Sequence, residues 1–148
     1  MVNLRHFTSE DADIIQSEMY PDLSSDEIMR VLADWSELQY QGKYFEMFAI
    51  ESEGRIVGSI SLFAKSIHVA SVGIEVFPDE RRKGFAAEAM ALISRIARER
   101  GYEVLLDQIR TDNAASLSLH KKLGFEDCNV LYRNSKGNEV VQYIKIIV

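Results

Sequence analysis

Val76-Phe77-Pro78-Asp79-Glu80-Arg81-Arg82-Lys83-Gly84-Phe85-Ala86-Ala87 joins two kinds of periodicity. Upstream, Ser71 to Phe77 reads as a β-rich run that ends at Pro78, a residue the middle of a sheet does not admit. Downstream, Phe85, Ala89, Leu92, Ile93 and Ile96 recur at helical spacing, with Glu88, Arg95, Arg98 and Glu99 mainly on the other side. Gly101 closes that helix, and Arg95, Arg98 and Arg100 suit the negative pole of its dipole. A strand therefore passes through a short basic loop into an amphipathic helix, and this junction suits an anion. The first amides of a helix have no internal partner, and the dipole adds partial positive charge there. Gly84 lets the backbone approach a bulky phosphate, Ala86 and Ala87 leave room, and Arg81, Arg82 and Lys83 add charge. A diphosphate fits such a place. The stretch lacks the Gly-Lys-Ser/Thr of a Walker A loop and, with one glycine, is not a dinucleotide fingerprint. A basic, solvated loop is the plain alternative. The position between a strand and a glycine-opened helix favours the phosphate.

Outward from this junction, Tyr44 to Glu51 and Arg55 to Phe63 are β-rich runs separated by Ser52-Glu53-Gly54, the composition of a hairpin turn. Ahead of them stand two helix starts with a hydroxyl three residues before an acid, Thr8-Ser9-Glu10-Asp11 and Ser24-Ser25-Asp26-Glu27. The first predicts a helix running toward Met19 and stopping before Pro21. The second predicts a helix with Ile28, Val31, Leu32, Trp35 and Leu38 on its apolar face, closed by Gly42. Val2 to Phe7 reads as a short first strand. Beyond the junction, Tyr102 to Arg110 is a strand, and Asn113 to Leu123 is a short helix closed by Gly124. The tail gives two strands joined through Asn134-Ser135-Lys136-Gly137-Asn138. The order β-α-α-β-β-β-α-β-α-β-β predicts an α/β (α+β) fold. It is a mixed, mostly antiparallel central sheet of about seven strands with about four helices on its faces.

The chain has 148 residues, 47% of them hydrophobic, and shows neither internal repeat nor linker, which predicts one domain over residues 1–148. No apolar segment reaches the length that crosses a bilayer, and the start lacks the pattern of a signal peptide, so a cytoplasmic protein away from membranes is expected. The single cysteine, Cys128, forms no intramolecular disulfide or cysteine metal cluster, and Glu126 and Asp127 beside it oppose a thiolate. A formal net charge of −6 argues against a nucleic-acid binder and is compatible with a cationic substrate. His6 and His68 show no metal-ligand spacing with each other or with an acid, and no metal is expected.

The run from Val76 to Ala86 resembles the acetyl-CoA motif of the GNAT superfamily of N-acetyltransferases: Arg or Gln, two residues, Gly, one residue, then Gly or Ala. Arg81, Gly84 and Ala86 occupy those positions. Asn113-Ala114-Ala115-Ser116-Leu117-Ser118-Leu119-His120-Lys121-Lys122-Leu123-Gly124-Phe125 resembles the second family signature, a helix running from an asparagine to Leu-Gly-Phe. The spacing between the two and the element order match as well, so the resemblance covers nearly the whole chain. It implies a GNAT-like sheet whose strands Ser71–Phe77 and Tyr102–Arg110 splay apart to admit acetyl-CoA as co-substrate. It further implies that backbone groups of Glu75 and Val76 pair with the pantetheine arm, and that the Val76 amide polarises the thioester carbonyl. By the same resemblance, amides from Arg82 through Lys83, Gly84, Phe85 and Ala86 to Ala87 would hold the pyrophosphate, and Asn113 would touch the pantetheine region.

Acetylating an amine needs a neutral nitrogen and a proton for the departing thiolate. Glu75 is the candidate base, directly or through water, on a strand otherwise apolar at Val72, Ile74 and Val76. An exposed strand face is its plain alternative. His120 stands where many family members carry a tyrosine that protonates the thiolate, and imidazole can give a proton near neutral pH. Ser-Leu-x-Leu-His-x-Lys-Leu-Gly-Phe is also similar to the phosphinothricin-acetyltransferase-like branch, which often has histidine here. A histidine that only packs is the alternative. Tyr20, Tyr40 and Tyr44 flank the early helices, which line the acceptor pocket in relatives. Trp35 reads as core, and Asp107 and Gln108 reach an acceptor only if strand register allows. The leading expectation is an N-acetyltransferase acting on a small-molecule or peptide primary amine, as monomer or homodimer. A non-catalytic acyl-CoA-binding sensor is the alternative, and a nucleic-acid binder is disfavoured by charge.

Overall fold

The computed structural model describes residues 1–148. The elements in chain order are β1 (Asn3–Arg5), α1 (Ala12–Ile14), α2 (Ser25–Ser36), β2 (Gln39–Tyr40), β3 (Lys43–Ser52), β4 (Arg55–Ala64), β5 (Val69–Val76), α3 (Phe85–Glu99), β6 (Val104–Arg110), α4 (Ala114–Lys122), β7 (Glu126–Arg133) and β8 (Glu139–Ile146). The sheet runs β1-β3-β4-β5-β6-β8-β7, with β2 added on β3. Every pairing is antiparallel except β5 with β6. The expected mixed, mostly antiparallel sheet with four helices is therefore present, and the short β2 makes an eighth strand.

Alternation sorts the side chains. Phe48 and Ile50 of β3, Ile60 and Leu62 of β4, and Ala70 and Val72 of β5 form the main core with Ala89, Met90, Ile93 and Ala97 of α3. On the other face Ala49, Ile56 and Phe77 lie under Phe7, Ile14 and Met19. A bulge where the β3–β4 register shifts at Ile50/Glu51 leaves Val57 as the extra residue. Val57 thereby joins Ile60 and Leu62 in the α3-side core.

Two helices differ from expectation. The segment after Thr8 is not one regular helix. Ser9–Asp11 is a 3-10 turn, Ala12–Ile14 a single α turn, and Ile15–Met19 a wider π turn closed by Tyr20 N–H on the Ile15 carbonyl at 3.0 Å. The π turn brings Ile14 and Met19, five apart, onto one face, where both pack on the Ala49–Phe77 patch. The capping acid does form its bond: Thr8 N–H donates to Asp11 at 2.7 Å, and Arg5 of β1 clamps the same carboxylate at 2.8 and 3.0 Å. The second helix stops at Ser36 rather than near Gly42, because Leu38 adopts a φ of 55°. Gln41 and Gly42, with φ of 52° and 78°, instead form the two-residue turn between β2 and β3. β5 starts at Val69 and β6 at Val104, each two residues away from the expected start.

The feature that positions the site is the seam between β5 and β6. Only Val69–Val104, Ala70–Leu105 and Ser71–Leu106 pair. Beyond Ser71 and Leu106 the facing edges run on without partners, to Val76 on one side and Arg110 on the other.

Candidate active site in the splayed sheet

The gap beyond Ser71 opens into a continuous cleft. Its inner part encloses about 350 Å³ between β5 (Ile74, Glu75, Val76) and the start of α4 (Asn113, Ala115, Ser116, Leu119). Its outer part, about 460 Å³, lies against the start of α3, with Arg82, Gly84, Phe85 and Ala87 in its wall. Val76, Arg81, Ala86, Ala115 and Leu119 border both parts. Strand, basic loop and both helix N-termini thus converge on one space, and Glu75, Val76, Arg81, Arg82, Gly84, Phe85, Ala86, Ala87 and Asn113 all line it.

Backbone polarity in the gap follows from one bond. Phe77 N–H donates to the Val57 carbonyl at 2.9 Å, so the polar groups of Phe77 point toward β4. Along a strand this direction alternates. The N–H groups of Val76 and Ile74 therefore point into the gap. Those of Glu75 point back to β4, where Ser59 is its register partner. The expectation that Glu75 offers backbone hydrogen-bonding groups to a pantetheine arm thus does not fit this polarity, although Glu75 borders the cleft. The close fit at β4 agrees: a Cβ built on Gly58 would stand 2.1 Å from the Glu75 carbonyl oxygen. The Val76 carbonyl is taken by Arg81 Nε at 3.0 Å, leaving the Val76 N–H free at the cleft.

The loop into α3 is shaped by conformation. Gly84 is the N-cap of α3 with φ of 82°, and Arg82 also has a positive φ of 63°. Nothing lies within 4 Å of a Cβ at Gly84, so glycine is required there by its φ and leaves open space in front of the first α3 amides. Glu80 receives Arg55 Nε at 2.9 Å and Lys83 Nζ at 3.0 Å, which ties the loop to the β3–β4 hairpin. Lys83 does not border the cleft, whereas Arg82 does. Asn113 caps α4 by accepting from Ser116 N–H at 3.1 Å.

His120 lies outside the cleft wall. Its ring is fully buried between Phe125 and Tyr143, at centroid distances of 4.9 and 6.3 Å. Nδ1 donates to the Ser116 carbonyl at 2.8 Å and Nε2 meets Asp107 Oδ2 at 2.6 Å. A carbonyl and a carboxylate both accept, so both nitrogens carry protons. Burial alone would push the imidazole pKa down; the hydrogen bond and charge of Asp107, with the Ser116 carbonyl, outweigh it and hold the pKa above the usual value. No ring nitrogen is left to face a thiolate, so direct proton donation by His120 does not fit this placement. Asp107, an acceptor-amine candidate by sequence, is instead the partner of His120. Strand register decided this, and no local sequence signal announces it.

No helix is long and apolar enough to cross a membrane. The chain is 33% identical over 97 residues to the SPbeta prophage-derived uncharacterized N-acetyltransferase YokL of Bacillus subtilis, covering 64% of this chain and 55% of that protein. It is 28% identical over 97 residues to the L-methionine sulfoximine/L-methionine sulfone acetyltransferase of Pseudomonas aeruginosa, covering 62% and 56%. The chain thus spans about half the length of the curated relatives it matches. The fold superposes on RimL, a ribosomal L7/L12 α-N-protein acetyltransferase solved with coenzyme A, with a TM-score of 0.82 and 17% identity, covering 98% of this chain and 93% of that one. Residues 2–126 match the family model described as Acetyltransferase (GNAT) domain, and the chain belongs to that family.

Proposed function

We propose that residues 1–148 act as one acetyltransferase domain that moves the acetyl group of acetyl-CoA to a primary amine by direct attack. The observation that carries this reading is the parting of β5 from β6 beyond Ser71, which leaves the Val76 N–H unpartnered beside the N-terminus of α3. Here the α3 amides, with Arg82, bind the pyrophosphate. The Val76 N–H donates to the thioester oxygen as charge builds on it, an interaction that strengthens in the transition state. The amine nitrogen attacks the carbonyl carbon. The C–N bond forms, the C–S bond breaks, and the surplus amine proton passes to Glu75, directly or through one water. The thiolate takes its proton from water in the open cleft. His120 acts from behind, joining α4 to Asp107 of β6 so that Asn113 and Ser116 keep their places. The lone cysteine and the demand for acetyl-CoA fit a cytoplasmic enzyme, and the acceptor is a small molecule or a peptide.

Thiol release from acetyl-CoA across a panel of amino-acid analogues, alkylamines, diamines and peptides tests this reading. We expect turnover with at least one acceptor class. Tight acetyl-CoA binding with no turnover on the whole panel would favour a sensor instead.

A further inference from the structure

Gly73 stands in the middle of β5, on the edge that parts from β6, three residues in from Val76. A glycine inside a strand weakens it, and its reasons are a left-handed backbone, a tight neighbour or a ligand that passes close. The backbone does not require this one, since Gly73 is not among the glycines of positive φ. Packing does not require it either. The one atom that a Cβ there would meet is Ser61 Oγ at 3.0 Å, the tip of a short side chain that can turn away. Gly58 is the contrast, because its Cβ would strike the Glu75 backbone at 2.1 Å. Gly73 is exposed, and with Ser61 and Met47 it belongs to the sheet face that carries α1 and α2. Room for a ligand lying on the sheet is the reason that remains.

Register shows where such a ligand leads. On the same face, Gln108 and Gln142 make the row level with Gly73. The next row away from Val76 is Ser71, Leu106 and Ile144, and the one after it is Val69, Val104 and Ile146. The strip thus turns from uncharged polar to apolar as it leaves the gap, and none of these residues carries a charge. None of its five apolar side chains belongs to either buried core. Leu106 and Ile144 are half-buried, and Ile146 is 64% exposed. A contiguous uncovered apolar strip marks a binding surface. Its occupant follows from continuity: the strip begins at the edge of the cleft that takes the thioester, and the threshold between them is the residue without a side chain. Five residues separate Val76 from Ser71, roughly 16 Å along a strand. An extended dodecanoyl chain with its carbonyl at the Val76 N–H spans most of that distance, whereas an acetyl group stops short of Gly73.

We propose that the protein also takes acyl-CoA donors with a long straight acyl chain, laid across Gly73 onto the strip of Leu106 and Ile144, and passes that acyl group to the amine. This rests on the acetyltransfer reading above and widens its donor. The bonds are those already described: the C–N bond forms, the C–S bond breaks, the amine proton goes to Glu75, and coenzyme A leaves as the thiol after taking a proton from water. Calorimetry with coenzyme A, acetyl-CoA and dodecanoyl-CoA tests the seat without any acceptor. We expect dodecanoyl-CoA to bind about tenfold tighter than acetyl-CoA, a small part of what full burial of its methylenes would give. Gly73→Val and, separately, Leu106→Gln should each bring the two donors to within about threefold of one another. Coenzyme A itself should bind both variants as it binds the unaltered protein, which shows that they fold. Equal affinity for the two donors in the unaltered protein overturns the proposal, as does a gain that survives both variants. A second copy seated on the strip would appear as a dimer in sedimentation with no gain for the long chain, which also overturns it. If acetyl-CoA binds and dodecanoyl-CoA gains nothing, this proposal fails alone; if none of the three binds, the acetyltransfer reading fails with it. Thiol release with an acceptor that serves acetyl-CoA reads the transfer. A kcat/KM for dodecanoyl-CoA within about tenfold of that for acetyl-CoA supports it, and tight binding without release overturns it.

Discussion

Val76 presents its N–H to the cleft because its neighbour Phe77 bonds across to Val57, and β4 approaches closely enough for that bond because residue 58 is glycine. A Cβ there would lie 2.1 Å from the Glu75 oxygen and 3.0 Å from Val76 Cα, both backbone atoms that cannot swing aside. Gly58→Ala must therefore push the Glu75–Val76 segment out of place. We expect kcat/KM to fall by about tenfold to a hundredfold, since a shift near 1 Å at a reacting centre has that effect. The thiol-release assay, with unfolding monitored in parallel, separates this from simple loss of fold. His120 makes a different prediction. His120→Ala leaves Asp107 without its buried partner and opens a cavity, so we expect a stability loss of about 3–5 kcal/mol in denaturant titration. Because the folded imidazole has a raised pKa, its stabilisation is complete below about pH 6.5, the unfolded value, and is lost as pH rises through the folded one. Replacing Asp107 by Asn leaves burial as the main influence, which lowers the pKa and reverses the sign. Unfolding temperatures of the unaltered protein should fall from pH 6 to pH 9 more steeply than those of Asp107→Asn, and parallel curves would remove His120 from this account.

At the scale of elements, the junction from β5 into α3 is legible in the sequence, because strand ending, glycine and helical stripe are all local signals. The Asn113 cap and the Gly124-Phe125 close of α4 were legible for the same reason. The π turn at Ile15–Met19 was not, because it answers to the Ala49–Phe77 patch on a distant sheet face. The β2–β3 hairpin was missed because a left-handed Leu38 is not announced by leucine. Within the junction the structure divides the basic triplet. Arg81 holds the Val76 carbonyl, Lys83 holds Glu80, and Arg82 alone borders the cleft without such a tie. We therefore expect Arg82→Ala to weaken acetyl-CoA binding by about threefold to tenfold and Lys83→Ala by about twofold or less in calorimetry. Gly84→Ala should fold with a cost of about 1–2 kcal/mol from its positive φ, since space is open around it. Gly84→Glu should abolish cofactor binding by placing a negative charge before the α3 amides.

The molecule as a whole is two sheet segments hinged at three residue pairs. β1, β3, β4 and β5 form one, β6, β8 and β7 the other, and Val69, Ala70 and Ser71 join them to Val104, Leu105 and Leu106. A continuous sheet would pair the β5 and β6 edges along their whole length. Here the far edges are left open, and the main core, which includes Leu105, Ile109, Val141 and Tyr143 together with the α3 residues, holds the segments together from one face. A sequence shows the strands but not this parting, since pairing depends on which edges meet. Unpaired amides at an opening exchange readily, and a ligand that bonds to them both protects and stabilises. Acetyl-CoA at about a hundred times its dissociation constant should add roughly 2.7 kcal/mol. For a chain of this length that is a rise in Tm of about 5–12 °C. In hydrogen exchange the protection should concentrate at Ile74, Val76 and the first amides of α3, with little change at Val69 to Ser71, where pairing to β6 already exists. Protection spread evenly over the sheet would mean that the two segments close as one body, and that the parting beyond Ser71 is not where the cofactor binds.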